Sequence, residues 1–191
     1  MNETDLIRQR VRDSIAVKES FLDDEELITE LGILSGKIAD SLTAGGKLII
    51  CGNGGSASDA LHFAGEIVGR FQKERNPWPA VVLNSDVATI TAIANDYGYD
   101  HVFERQAKAF SHSGDVFVGI STSGNSENVY LGVKAARESG AYTSALLGHD
   151  GGKILDEVDC PLIVRSSVTA RIQECHIMII HILCELIEGK V

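Results

Sequence analysis

His62 and Glu66 stand four residues apart in a segment of helical periodicity, so an imidazole and a carboxylate share one face. Directly before that segment the chain reads Gly52-Asn53-Gly54-Gly55-Ser56, entered from the short apolar run Leu48, Ile49, Ile50. This is strand–loop–helix grammar, in which the unpaired N–H groups of a helix N-terminus face an anion. An imidazole and a carboxylate beside such a loop can bind a metal, exchange protons with a substrate, or do both. Plainer readings exist: a Gly-rich loop after a strand can be only a tight turn, and a His/Glu pair can be solvated surface. Gly52-x-Gly54-x-x-Ala57 also fits a dinucleotide fingerprint, which needs an acidic residue ending the next strand. The next apolar run, Ala80-Val81-Val82-Leu83, ends in Asn84 instead.

A second cluster is Ser121-Thr122-Ser123-Gly124-Asn125-Ser126, with four hydroxyls in six residues. Such hydroxyls donate to phosphate oxygens, a helix starting near Ser126 adds N–H groups, and Gly124 permits a sharp turn. The alternative is an ordinary Ser/Gly loop with Ser126 as N-cap. Ligands of open α/β sheets bind at the carboxyl ends of the strands, where both loops fall. One ligand bridging them, phosphate on one loop and hydroxylated chain on the other, is the natural inference. A third group lies on the last helix, where Gln173, Ile177 and His181 follow one slowly drifting line among Ile and Leu residues. Polar side chains in such surroundings are costly without partners. Nothing places His176 on that line.

The elements that must position these groups follow from periodicity. Residues 5–43 read as two helices, one with the stripe Ile7, Val11, Ile15, Leu22, the other with Leu27, Leu31, Leu34, Ile38, Leu42. Asp23 or Asp24 can cap the second, and Gly45-Gly46 stops it. The pair can pack against another subunit or simply cover a sheet. From Lys47 onward, near-continuous apolar runs at 47–51, 80–83, 115–120, 141–147 and 161–164 alternate with helical stretches. These lie at 57–70, 87–111 (broken near Gly98) and 126–139, and Thr169 to Glu188 forms the last helix. That alternation predicts βαβ units and a mainly parallel sheet covered on both faces. The last helix is apolar nearly all round and is expected to be buried, between subunits.

Composition limits the classes available. The 191 residues are 44% hydrophobic with three prolines, which excludes a disordered or fibrous chain. A net charge of −10 argues against nucleic acid as a partner. No apolar run is long enough to span a membrane. Cys51, Cys160, Cys175 and Cys184 form no CxxC pair and no signal peptide precedes them, so they read as reduced thiols of a cytoplasmic protein.

In order along the chain, CGNGGSxxDAxHFAxE, AIANDYG, GISTSGNS, GHDGG and RIQExHxxxIHxLCxLIE resemble the phosphoheptose isomerases of the sugar-isomerase (SIS) domain superfamily. The resemblance implies a three-layer αβα sandwich with a five-stranded parallel, flavodoxin-like sheet. It implies one SIS domain over 1–191, with residues 1–45 a helical pair used in oligomerisation and 46–191 the α/β core. It also implies a homotetramer and one Zn²⁺ per subunit. Carried over, Asn53, Gly54, Gly55, Asn95 and Asp96 would contact the sugar phosphate, and Ser121, Thr122, Ser123 and Ser126 would hold its phosphate. His62, Glu66, Gln173 and His181 would be metal ligands, Glu66 and Gln173 would also touch substrate, and Glu66 and His181 would be the catalytic pair. Ser56 and Arg70 would add secondary contacts. The implied reaction converts D-sedoheptulose 7-phosphate to D-glycero-D-manno-heptose 7-phosphate through an enediol(ate), the first step of ADP-heptose and lipopolysaccharide core biosynthesis.

One departure is Ala170, where some members carry Asp before RIQE, which puts a carboxylate role there in doubt and leaves the Thr169 hydroxyl in its place. Two rivals share the pattern: isomerases of shorter sugar phosphates, and non-catalytic homologues that bind sugar phosphates or a replication initiator. The initiator-binding homologues replace the last-helix histidine, so His181 speaks for an enzyme. Gln173 and His181 are eight residues apart, about 12 Å of helical rise. Their meeting at one ion requires either a strained site between helices of one subunit or a site completed across subunits. With an all-apolar last helix, active sites at or beside subunit interfaces are expected.

Overall fold

The computed structural model describes residues 2–191. Helices α1 (Glu3–Leu22) and α2 (Glu25–Thr43) precede β1 (Leu48–Gly52) and α3 (Gly55–Val68). Then follow β2 (Ala80–Val82), α4 (Val87–Tyr97), a 3₁₀ turn (Tyr99–His101) and α5 (Val102–Phe110). The chain closes with β3 (Val116–Ser121), α6 (Glu127–Glu138), β4 (Tyr142–Gly148), a 3₁₀ segment (Gly152–Glu157), β5 (Cys160–Val164) and α7 (Thr169–Lys190). The helical stretch expected over 87–111 breaks at Gly98, whose φ of +92° favours glycine. The 3₁₀ segment after β4 has no forerunner in the apolar pattern.

All strand pairs are parallel, and the sheet runs β2-β1-β3-β4-β5, the flavodoxin-like order. Every residue of β1 and β3 is buried, which is why those segments are continuous apolar runs. Alternate side chains go to opposite faces. Leu48, Ile50, Val118, Ile120, Leu146 and Leu162 pack with α2, α3 and α7, whereas Ile49, Cys51, Phe117, Ala145 and Leu147 pack with α5 and α6, flanked by Ile90 and Ile93 of α4. The result is three layers, helix–sheet–helix. Each fully buried Leu, Ile or Phe in them contributes roughly 1.5–3 kcal/mol.

The two N-terminal helices differ. Leu27, Leu31, Leu34, Ile38 and Leu42 of α2 are buried in the core, and Asp24 caps α2 by accepting from the Leu27 N–H at 3.0 Å. No residue of α1 is buried, and Ile7, Val11, Ile15 and Leu22 are all exposed. So α2 covers the sheet and α1 lies outside it, touching the core through half-buried Val17 and Phe21. Helix α7 is largely but not wholly buried within the chain. It buries Ile172, Cys175, His176, Ile179, Ile180, Leu183, Cys184, Ile187 and Glu188, but Ile177, Met178 and Ile182 are half-buried and Leu186 is exposed. Within one chain this helix packs against α1, α2, α3 and the sheet, which leaves those four side chains partly open.

Candidate active site and metal centre

β1 delivers the chain into the first loop, which is built on glycine. A Cβ on Gly52 would lie 2.6 Å from the Ser56 carbonyl oxygen, and one on Gly55 would run into the Gln173 amide. Gly54 has a φ of +56°. The loop therefore closes against α7 through Gln173, two helical turns before His181. Asn84 occupies the position where a dinucleotide site needs an acid. It accepts from the Gly52 N–H at 3.2 Å and donates to the Ala57 carbonyl at 3.2 Å, bracing the loop.

Asn53 is committed to the protein rather than left open. Its amide exchanges two hydrogen bonds with buried Asn128 of α6, at 2.8 and 3.0 Å, and its oxygen also accepts from the Tyr99 hydroxyl at 3.0 Å. Asn128 in turn accepts from the Val129 N–H at 2.9 Å. The first loop is thus tied to the helix that follows the second. Ser56 is buried in the first turn of α3.

In the second loop the hydroxyls of Ser121 and Ser126 meet at 2.9 Å. Ser126 is the N-cap residue of α6, yet its side chain makes no capping bond. Its hydroxyl faces Ser121 at the strand end, and the plain N-cap reading fails there. Gly124, at φ +66°, presses so closely on the Gly151 backbone that a Cβ has no room. Ser123 accepts from the Asn125 N–H at 3.1 Å, and Asn125 accepts from the Lys153 N–H at 3.2 Å, so the GHDGG segment braces this loop. Thr122 is half-buried between them. A cavity of about 530 Å³ opens beside Ser123 and Asn125, lined also by His149, Asp150, Arg165, Ser166 and Ser167. None of the metal-ligand candidates lines it.

Those candidates meet between α3 and α7. His62 Nε2 lies 3.0 Å from His181 Nε2 and 3.3 Å from Glu66 Oε1. One ligand atom from each of His62, Glu66 and His181 falls within 4.8 Å of the others, all in one chain. Zn–N bonds of about 2.0–2.1 Å give tetrahedral edges of about 3.3 Å, so two imidazoles and a carboxylate so spaced suit a small divalent cation. The Phe71 ring stacks on His181 with centroids 5.7 Å apart and planes 21° from parallel. These three groups come together within a single chain.

Other sequence candidates stand apart. Arg70 is exposed beyond α3 and pairs with Glu74 at 3.4 Å. Asn95 and Asp96 are exposed on α4 and bonded to each other at 2.9 Å. His176, set aside from the line of Gln173 and His181, is fully buried and donates from Nε2 to the Leu147 carbonyl at 2.9 Å. Burial pushes its pKa down to about 4. Sequence reasoning missed Asn128, Tyr99 and Asp59. Asp59 precedes His62 by three residues on the same helix, a spacing that could have singled it out. Its Oδ2 is buried without a hydrogen bond among the described residues, and burial raises its pKa while nearby His62 pulls it down.

Known proteins resemble the chain over nearly its full length. The SIS domain family model matches residues 15–148. The phosphoheptose isomerase of Geobacter sulfurreducens is 54% identical over 167 residues, covering 87% of this chain and 88% of that one. That of Aquifex aeolicus is 48% identical over 185 residues, 97% of this chain and 96% of that one. The solved phosphoheptose isomerase of Neisseria gonorrhoeae has 42% identity and a TM-score of 0.91, covering 98% of this chain and 100% of that chain.

Proposed function

The chain belongs to the SIS-domain family and, within it, to the phosphoheptose isomerases, and from that premise we infer that it interconverts D-sedoheptulose 7-phosphate and D-glycero-D-manno-heptose 7-phosphate. It is an aldose–ketose isomerase acting in heptose biosynthesis, and we assign it the step that opens the route to ADP-heptose and the lipopolysaccharide core. The carrying observation is the convergence of His62 and Glu66, on the helix that the first loop opens, with His181 of α7.

Isomerisation moves a proton between C1 and C2 through a cis-enediol(ate). It needs a base at the carbon-bound proton, an acid near the carbonyl oxygen and stabilisation of the enediolate charge. Glu66 is the proposed base: its Oε1 faces His62, which leaves Oε2 for the proton. His181 is the proposed acid. The paired hydroxyls of Ser121 and Ser126, with Thr122 and Ser123, would take the phosphate, and the N-terminus of α6 adds its field. Asn53 would act by fixing the loop on which Gly54, Gly55 and Ser56 meet the sugar.

His62, Glu66 and His181 would hold Zn²⁺, with Gln173 leaning in from two turns away, one ion per subunit. When bound, the ion supplies polarisation of the substrate carbonyl. Asn95 and Asp96 would contact the sugar phosphate, and Arg70 would add a secondary contact. The same reading takes residues 1–191 as one SIS domain and the assembly as a cytoplasmic homotetramer. The exposed apolar stripe of α1 and the open side of α7 support association of copies. No helix among the described residues is long and apolar enough to cross a membrane.

His181 in the cluster also argues against a non-catalytic homologue. The deciding experiment incubates the purified protein with sedoheptulose 7-phosphate and follows aldoheptose phosphate by NMR. Appearance of the aldose is the expected result; a fully metallated protein that yields none would overturn the assignment.

A further inference from the structure

The last turn of α7 buries a carboxylate among apolar neighbours. Glu188 has a side chain only 3% exposed. Its Oε1 accepts from the Phe71 N–H at 3.0 Å, and its Oε2 from the Gln72 and Lys73 N–H groups, each at 2.9 Å. Arg75 Nε donates to Oε1 at 3.0 Å, and Lys73 Nζ to the Glu188 carbonyl at 2.7 Å. Three consecutive backbone amides wrapped around one carboxylate fix the path of the segment that leaves α3. Burial alone would raise the Glu188 pKa, but the backbone amides and Arg75 outweigh it and take it down to about 2.

Both ends of this knot reach the active-site candidates. Arg75 donates from Nη2 to the Glu66 carbonyl at 2.8 Å and from Nη1 to the Ile67 carbonyl at 2.9 Å. Both carbonyls belong to the last turn of α3, where a cation is favoured, and the Ile67 carbonyl also accepts from the Trp78 N–H at 3.4 Å. Phe71, whose N–H Glu188 holds, lays its ring on His181. We propose that Glu188 is a positioning residue for the site, holding Phe71 against the His181 ring and Arg75 against the backbone of Glu66, so that the His181 and Glu66 side chains keep their facing geometry. A loop anchor could have been built from any satisfied polar contact. This one ends on the two residues that the isomerase reading makes catalytic, and the proposal rests on that reading for its consequence in turnover.

The test begins with metal-free protein labelled at histidine, so that it does not depend on activity. His181 is assigned by the ring resonance that disappears in His181→Gln. Phe71→Leu removes the ring current, and its effect on the His181 resonance sets the reference shift. Glu188→Gln should move that resonance in the same direction. In the metallated enzyme, each of the two variants should lower kcat about tenfold, the usual cost of loosening a group behind a metal ligand. KM should stay within about twofold, since substrate contacts are untouched. The double variant should be no slower than the worse single one, because both act through one contact. A native-like melt with an unmoved His181 resonance in Glu188→Gln overturns the proposal, as does a double variant whose losses multiply. If Glu188→Gln does not fold, Arg75→Lys takes its place in each comparison under the same criteria. A shifted resonance in a protein inactive on sedoheptulose 7-phosphate would defeat the isomerase assignment and leave this proposal standing.

Discussion

The Nε2 atoms of His62 and His181 face each other at 3.0 Å across 119 residues of sequence. Both belong to one chain, which sets the outcome of a mixing experiment. Combining a His62→Ala/Glu66→Ala protein with a His181→Ala protein, under conditions in which subunits exchange, should give inactive assemblies, because every site lacks a group. Mass spectrometry establishes exchange, and recovered turnover would mean that a partner donates the missing groups.

Glu66→Gln and His181→Gln should keep the fold, since both side chains are partly open to solvent. Each should lower turnover about a hundredfold or more, the range for a lost general base or acid. Circular dichroism and steady-state rates check the two halves of this expectation, and near-normal rates in both variants would remove the pair from the mechanism.

Ser126→Ala separates phosphate binding from helix capping. The hydroxyl makes no capping bond, so the melting free energy should change by less than about 0.5 kcal/mol. Affinity for the sugar phosphate should fall about tenfold or more, as for a lost hydrogen bond to a charged group, and affinity for the unphosphorylated sugar should not. Calorimetric titration with both ligands provides the comparison.

Zinc content tests the metal site directly. A chelator should strip the ion and the activity together, and zinc should restore both. His62→Ala should bind zinc far more weakly, because only Glu66 and His181 of the trio remain. Undiminished binding would place the ion elsewhere.

His176 gives a pH dependence of stability. It is buried neutral, with its pKa pushed down to about 4 from an ordinary 6.5. Between those values the unfolded chain binds more protons than the folded one. The stabilisation is therefore complete above pH 6.5 and lost as pH falls toward 4, on the order of 3 kcal/mol in all. Urea melts at pH 7 and 4.5 should show a larger drop for the native protein than for His176→Gln; equal drops would contradict the buried neutral state.

Much of the fold was written locally. Continuous apolar runs announced β1 and β3 because strands buried on both faces leave no place for alternation. Asp24 marked the start of α2, and Gly98 the break between α4 and the turn after it, through contacts or dihedrals spanning a few residues. The spacing of His62 and Glu66 placed them on one helix face, and the two hydroxyl- and glycine-rich loops fell at the strand ends.

What local spacing could not decide was which face meets which neighbour. α1 and α2 carry similar stripes, yet only α2 is buried, because the sheet offers one docking surface there. His176 and His181 share one helix; packing turns the first onto the Leu147 carbonyl and the second toward α3. The partner that holds the Asn53 side chain, Asn128, lies 75 residues away. Nothing in the spacing of Glu188 signals its burial, which comes with the amides of residues 71–73 that reach it. Periodicity fixes relations within an element, whose geometry is set by the backbone. Relations between elements depend on how α3, α7 and the sheet pack together, and only the folded chain specifies that.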